Sequence, residues 1–304
     1  MSIRGRIIKK LVSIQMSGWS EGSIEAQRAR QEKLSKYSRP AAGVDCQSIT
    51  VDGVPAEWIT PPAPVSGVIL YLHGGAFTLG SINVHREWIA RLAAATRVRC
   101  LAIDYRLAPE DPFPAALEDV LTAYRWLIDH GYSASRLVIA GDSAGGGLGL
   151  SALVKLRETG GELPARAVMI SPWIDLTLQG ASIQQNARLD PILEPSILAA
   201  CARYYAGENA LTCPLISPLY ADLQDLPPLL IQVGTDEILL DDAIRIADRA
   251  RDSGVDVTLS VWDEMFHVFQ LISFLPETKQ ALAQIAAFVL EQMAAGNGPV
   301  RDDR

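Results

Sequence analysis

The chain has 304 residues, with 35 acidic and 27 basic side chains, a formal net charge of −8 and a pI near 5.1. Its composition, 49% hydrophobic and 20% charged, supplies a large core, and its acidity argues against a nucleic-acid partner. Four scattered cysteines, Cys46, Cys100, Cys201 and Cys213, lack metal-ligand spacing and imply no disulfide framework, which fits a reducing, cytoplasmic setting.

At the amino terminus, Arg4, Arg6, Lys9 and Lys10 lie among Ile7, Ile8, Leu11, Val12 and Ile14. The lysines interrupt the apolar run and no small-x-small cleavage site follows, so a helix packed on the protein's own body is expected rather than a signal peptide. A basic amphipathic helix on a membrane surface is the alternative. No stretch reaches transmembrane length, so no stable membrane insertion is expected. Ser23 is placed to cap a second helix through Arg30 and Leu34, ended by Pro40.

Alternating runs at 48–51 and 56–60, separated by Asp52-Gly53, predict an antiparallel hairpin. After Pro61-Pro62, the near-continuous apolar run Gly67-Val68-Ile69-Leu70-Tyr71-Leu72 predicts a strand covered on both faces. A helix through Trp88, Leu92 and Ala95, a strand at 98–103 and a helix opened by Pro114 and ended at Gly131 follow. Further strands are expected at 136–140, 167–170, 229–233 and 257–262. Helices are expected after Ser143, over 241–253 and from 276 to about 293, with a disordered tail from 295. Asp241 and Asp242 are placed to cap the helix they open. The alternation predicts an α/β fold whose central sheet is mostly parallel and flanked by helices. Two segments stand outside it, residues 1–42 and an insertion at about 176–226. Together they are expected to form a helical cap over the carboxyl ends of the strands, where open α/β sheets bind ligands.

The stretch Gly141-Asp142-Ser143-Ala144-Gly145 is a G-x-S-x-G between a predicted strand and a predicted helix. In that context it reads as a nucleophile elbow, with the serine on a strained turn and small neighbours where strand and helix backbones crowd. The helix amino terminus after it favours negative charge. A structural serine in a glycine-rich turn is the bland alternative. A hydrolytic serine needs a base, an acid behind the base and oxyanion donors. Of the four histidines, His267 falls just after the last strand and is the candidate base; His73, His85 and His130 read as structural. Asp236, just past the strand at 229–233, is the expected acid, and its neighbour Glu237 should point elsewhere. Backbone N–H groups of Ala144 and of the loop His73-Gly74-Gly75-Ala76-Phe77 are the expected oxyanion donors. The glycine loop has no P-loop lysine and no dinucleotide fingerprint, so no cofactor or metal is expected.

Taken together, His73-Gly74-Gly75-Ala76-Phe77, Tyr105-Arg106-Leu107-Ala108-Pro109-Glu110, Phe113-Pro114-Ala115-Ala116, Gly141-Asp142-Ser143-Ala144-Gly145-Gly146, Ser171-Pro172-Trp173, Asp190-Pro191, Asp236 and Phe266-His267-Val268-Phe269 resemble the hormone-sensitive lipase-like family of α/β-hydrolases, the bacterial carboxylesterases of that group. The resemblance spans the chain from about Leu70 to Phe269. It implies an α/β-hydrolase fold with a helical cap, a Ser143–His267–Asp236 triad, and an oxyanion hole at Gly74 and Gly75, or Gly75 and Ala76, plus Ala144. It also implies, frequently, a homodimer. One departure is Ala76 where the family usually has a third glycine; alanine keeps its N–H, so chemistry is retained provided that position does not need positive φ.

The expected reaction is hydrolysis of short-to-medium acyl esters through an acyl-enzyme on Ser143. Cap residues and bulky groups such as Phe77, Trp173, Trp19 and Leu189 are expected to line the substrate pocket. The same triad would serve an amide or carbamate. A non-catalytic small-molecule receptor is the rival from another class, since plant hormone receptors with this fold lost the histidine; here it is present.

Overall fold

The structure, a computed structural model, describes residues 2–16 and 22–294. The predicted Trp19 pocket residue and the tail from 295 lie outside them. Helices α1 (Ile3–Met16) and α2 (Ile24–Ser35) precede a hairpin of β1 (Asp45–Val51) and β2 (Val54–Thr60). There follow β3 (Val65–Leu72), α3 (Ile82–Thr96), β4 (Val98–Ile103), α4 (Ala115–Asp129), β5 (Leu137–Asp142), α5 (Ala144–Glu158) and β6 (Arg166–Ile170). The connection to β7 (Leu229–Gly234) carries the short α6 (Ser182–Gln185) and α7 (Pro195–Ala206), and α8 (Leu240–Asp252), β8 (Val257–Trp262) and α9 (Pro276–Ala294) complete the described chain. The eight strands form one sheet in the order β1-β2-β4-β3-β5-β6-β7-β8. The β1/β2 and β2/β4 pairs are antiparallel and the rest parallel.

Alternation along the inner strands divides the core in two. Val68, Leu70 and Leu72, with Ile139 and Met169, pack with α4, α5 and α8 on one face. Ile69 and Tyr71, with Val138, Ala140, Val168 and Ile170, pack under α3 and α9 on the other. Two buried faces explain why β3, β5, β6 and β7 read as continuous apolar runs. The edge strand β8 has one poorly covered side, where Val261 is exposed.

The two segments outside the alternation attach differently. In α1, Ile8 packs into a cluster with Met265, Phe266, Phe269 and Leu275, and Arg6 pairs with Glu264 at 3.1 Å, as expected of a helix on the protein's own body. Ser23 caps α2 by accepting from the Ala26 N–H. That helix buries none of its residues and is held by polar contacts. The Arg28 guanidinium donates to the carbonyls of Thr78 and Ala108, each at 2.8 Å, and to Glu110. Among the described residues, no helix is long and apolar enough to cross a membrane. The four cysteines are all free thiols.

The tightest constraint lies where β5 meets α5. A Cβ on Gly145 would sit inside the van der Waals envelope of the Leu72 carbonyl oxygen and 2.6 Å from that of His73. At Gly149, one turn further on, a Cβ would meet side-chain atoms rather than backbone, Ile139 Cγ2 at 3.0 Å, Met169 Cε at 3.4 Å and Leu72 Cδ1 at 3.6 Å. Gly145→Ala should therefore cost about 3 kcal/mol or more in urea denaturation, whereas Gly149→Ala, which gains helix propensity, should stay within about 1 kcal/mol of the parent. Equal effects would show that backbone crowding does not govern this junction.

Candidate active site

The carboxyl ends of β3, β5, β7 and β8 deliver the glycine loop, Ser143, the 235–239 turn and His267 to one place, beside β3, where the strand order reverses with β4 on one side and β5 on the other. Ser143 is held at φ 53°, ψ −121°, a conformation that costs of order 1–3 kcal/mol and persists only where the surroundings impose it. They do so through the Ser143 N–H, which donates to the Ile170 carbonyl at 2.8 Å, and the Ser143 carbonyl, which accepts from Trp173 N–H at 3.0 Å.

From that turn the Ser143 hydroxyl reaches His267 Nε2 at 2.9 Å. On the other side of the ring, His267 Nδ1 lies 3.0 Å from Glu237 Oε2. This corrects the expected acid: the side chain behind His267 is Glu237, and Asp236 points away. Asp236 uses its N–H on the Met265 carbonyl and sends its carboxylate outward to an ion pair with Lys9 of α1. One residue on, the chain has turned inward. Glu237 is fully buried, and its Oε1 accepts from the Gly234 N–H at 2.6 Å and from the Ser171 hydroxyl at 2.8 Å. Neighbouring acids at the end of a strand face opposite ways, and the Lys9 partner of Asp236 is 227 residues away, so the sequence carried no local sign of which acid turns inward.

Burial alone would lower the His267 imidazole, but the hydrogen bond and charge of Glu237, with Asp190 and Asp142 adding to it, outweigh that and raise it above its ordinary 6.5. Burial raises the Glu237 carboxyl, and the bond to His267 opposes that rise. Of the histidines read as structural, His73 is pushed down to about 3 by burial and by neighbouring His85. It stacks on Tyr105 and bonds the Gly74 carbonyl, fixing the loop in its neutral form. His130 ends α4, with its ring on the Trp126 carbonyl. His85 has a larger part than a helix start suggests. Its Nε2 sits 3.4 Å from Asp142 Oδ2, raising the imidazole and lowering the carboxyl despite the burial of both.

Asp142 also decides which loop amides are free. Its Oδ1 accepts from the Tyr71 hydroxyl at 2.7 Å and from the Gly74 N–H at 3.1 Å. Gly74 was among the expected oxyanion donors, and this bond removes it: its N–H is already engaged. The N–H groups of Gly75, Ala76 and Ala144 have no acceptor among the described residues. Ala76 stands at φ +52°, so the proviso on the missing glycine is not met; alanine occupies a left-handed position here, at a cost of about 1–2 kcal/mol. Asp241 and Asp242, expected as caps, sit inside the first turn of α8. There they accept from the Ser182 N–H and from the N–H groups of Ile174 and Asp175, respectively.

Ser143 and His267 open into a pocket of about 660 Å³, bordered by the glycine loop, by Ile24 and Gln27 of α2, by Ile192 and Leu193, and by Ile197, Leu198 and Cys201 of α7. Three predicted pocket residues are not in this lining. Phe77 and Trp173 are core side chains, Phe77 stacked on Tyr205 at 3.7 Å, while Leu189 is exposed on the surface. Bulk was a poor guide, because large aromatics fill the layer beneath the pocket and medium aliphatics line it. A depression of about 690 Å³ lies elsewhere, with Asp52, Arg106, Asp119 and Lys155 in its lining, and contains neither Ser143 nor His267. Among the described residues, no group of three or more acidic, histidine or cysteine side chains is placed to hold a metal.

Comparison with known proteins identifies the family. The family model of the alpha/beta hydrolase fold matches residues 69–271. An acetyl-hydrolase of Streptomyces hygroscopicus is 41% identical over 282 residues, covering 91% of this chain and 92% of that protein. An esterase of Acinetobacter venetianus is 37% identical over 247 residues, covering 81% and 82% of the two chains. The crystal structure of an esterase from the bacterial hormone-sensitive lipase family superposes with a TM-score of 0.92 at 44% identity, over 96% of this chain and 99% of that one. The chain therefore belongs to the alpha/beta hydrolase fold family, and within it to the bacterial hormone-sensitive lipase esterases, which are carboxylic ester hydrolases.

Proposed function

We propose that this esterase works through a Ser143–His267–Glu237 triad on short-to-medium acyl esters. The observation that carries the reading is the unbroken line of hydrogen bonds from the Ser143 hydroxyl through both imidazole nitrogens to a buried carboxylate, ending at an apolar pocket. Ser143 Oγ attacks the acyl carbon as its proton passes to His267 Nε2, and Glu237 steadies the imidazolium. N–H groups of Gly75, Ala76 and Ala144 take the oxyanion. His267 then returns the proton to the departing alkoxide as the C–O bond breaks. Water, activated by the same ring, cleaves the acyl-enzyme and regenerates the serine. An ester suits this site because its alkoxide can leave before it is fully protonated, whereas an amide nitrogen must be protonated first.

In this reading the segments 1–42 and 176–226 act as the cap, since α2, Ile192, Leu193 and α7 all border the pocket. Short-to-medium acyl chains fit a pocket of about 660 Å³ and agree with the acetyl-hydrolase relative.

Ser143→Ala should lower kcat by roughly three to six powers of ten with the fold intact, measured with p-nitrophenyl butyrate. Glu237→Gln should cost roughly 10³-fold or more, and Asp236→Asn only a fewfold; the reverse order would return the acid's role to Asp236. Because His267 must be neutral to accept the proton and is raised, kcat/KM should fall on acidification with a midpoint above 6.5. A midpoint well below that value would place the base elsewhere. Leu198→Ala, which opens a buried pocket wall, should shift preference towards longer acyl chains; an unchanged p-nitrophenyl ester profile would place the acyl group outside this wall.

A further inference from the structure

Asp190 is a buried carboxylate that the reaction as described does not use. Its Oδ1 accepts from the N–H groups of Ile192 at 2.9 Å and Leu193 at 3.1 Å, and its Oδ2 from the N–H of Ile238 at 3.0 Å. Ile192 and Leu193 line the pocket, and Ile238 directly follows Glu237. One carboxylate thus joins the pocket wall to the turn that carries the acid. Asn186, four residues earlier and also buried, grips the same turn from its carbonyl side. Its Nδ2 donates to Thr235 O at 2.9 Å and to Glu237 O at 2.8 Å. The two are linked to each other, since the Asp190 N–H donates to the Asn186 carbonyl at 2.9 Å.

We propose that Asp190 and Asn186 are positioning residues. Together they lock the Glu237 turn to the pocket wall, with the Asp190 carboxylate bonded to the N–H of the residue that follows Glu237. The inference rests on the reading of His267 as general base. All three partners of the Asp190 carboxylate are N–H donors, the set that suits its ionised form. Burial opposes ionisation and raises the group, while the His267 charge and the backbone donors work in the other direction.

The charged groups acting on His267 come from three elements. Glu237 lies on the turn after β7, Asp190 on the β6–β7 connection, and Asp142 at the end of β5. The Asp142 charge is shared with its partner His85, and the nearby Asp236 charge is matched by Lys9. Glu237 bonds the ring directly, and Asp190 is held by an N–H donor on the turn beside it.

The test is a kcat/KM pH profile and a kcat–KM split for Asp190→Asn and Asn186→Ala on p-nitrophenyl butyrate. Asp190→Asn keeps the shape and removes the charge. It should lower kcat and move the acidic limb to lower pH by on the order of half a unit or more, because His267 loses a stabilising anion. A purely structural aspartate would leave the limb where it is, and that result overturns the proposal. Asn186→Ala changes no charge; kcat should fall roughly tenfold with KM within about twofold and the limb unmoved. Should Asp190→Asn not fold, Asn186→Ala decides: an unchanged kcat overturns the brace. Phosphonate labelling of Ser143 and the loss of turnover in His267→Ala test the underlying triad separately. If those hold while the brace variants behave as the parent, only this proposal falls.

Discussion

The structure depends first on how closely two backbones approach at the β5–α5 junction. Gly145 lies against the carbonyls of Leu72 and His73, Gly141 lies against Gly145, and Gly147 lies against the Trp173 carbonyl. No side chain fits between them, so α5 packs close onto the sheet at its amino-terminal end. That approach forces Ser143 into its positive-φ turn and lifts its hydroxyl above the strand ends. The same approach fixes the start of α5, leaving the Ala144 N–H without a helical acceptor beside Ser143.

Around this junction, buried polar groups form two separate networks. On one side, Trp88 Nε1 donates to the Tyr71 hydroxyl, which donates to Asp142, which holds the Gly74 N–H and pairs with His85. On the other, the Ser171 hydroxyl donates to Glu237 and accepts from the Val268 N–H, tying the acid to the loop of the histidine. Each network is high-stakes, because a buried charge left without partners costs several kcal/mol. Such satisfied networks hold one arrangement of loops that have little regular structure of their own. Ala76 and Phe77 remain at positive φ because the loop around them is fixed at both ends, by Asp142 before it and by Arg28 and the Thr78 and Leu79 turn bonds after it.

The pocket arises differently from the core beneath it. Its walls come from segments remote in sequence, and α2 is held there by Arg28, Gln31 and Glu32 through polar contacts, with no buried residue of its own. A helix attached in this way opens at lower cost than the sheet, which is a useful property over a site that must admit and release ligands. The wall made by Ile192, Leu193 and α7 is apolar, and it meets the acid turn through Asp190 and Asn186.

The alternation of strands and helices, the hairpin, the elbow and the two segments outside the alternation are legible in the order of the residues. Each of these rests on local spacing: two-residue and 3.6-residue periods, and glycines that only close packing requires. Ser143 and His267 were legible because each follows a strand end within a distinctive local run. The remaining features depend on partners far away in the chain. Asp236 and Glu237 are chemically near-equivalent and adjacent, and a lysine in α1 and a serine after β6 separate them. Gly74 reads like any loop donor until Asp142 takes its N–H. Phe77 and Trp173 read as pocket residues by size, yet the stack on Tyr205 places Phe77 in the core and complete burial places Trp173 there too. Local periodicity specifies which face a side chain takes; only the assembled fold specifies what it meets there.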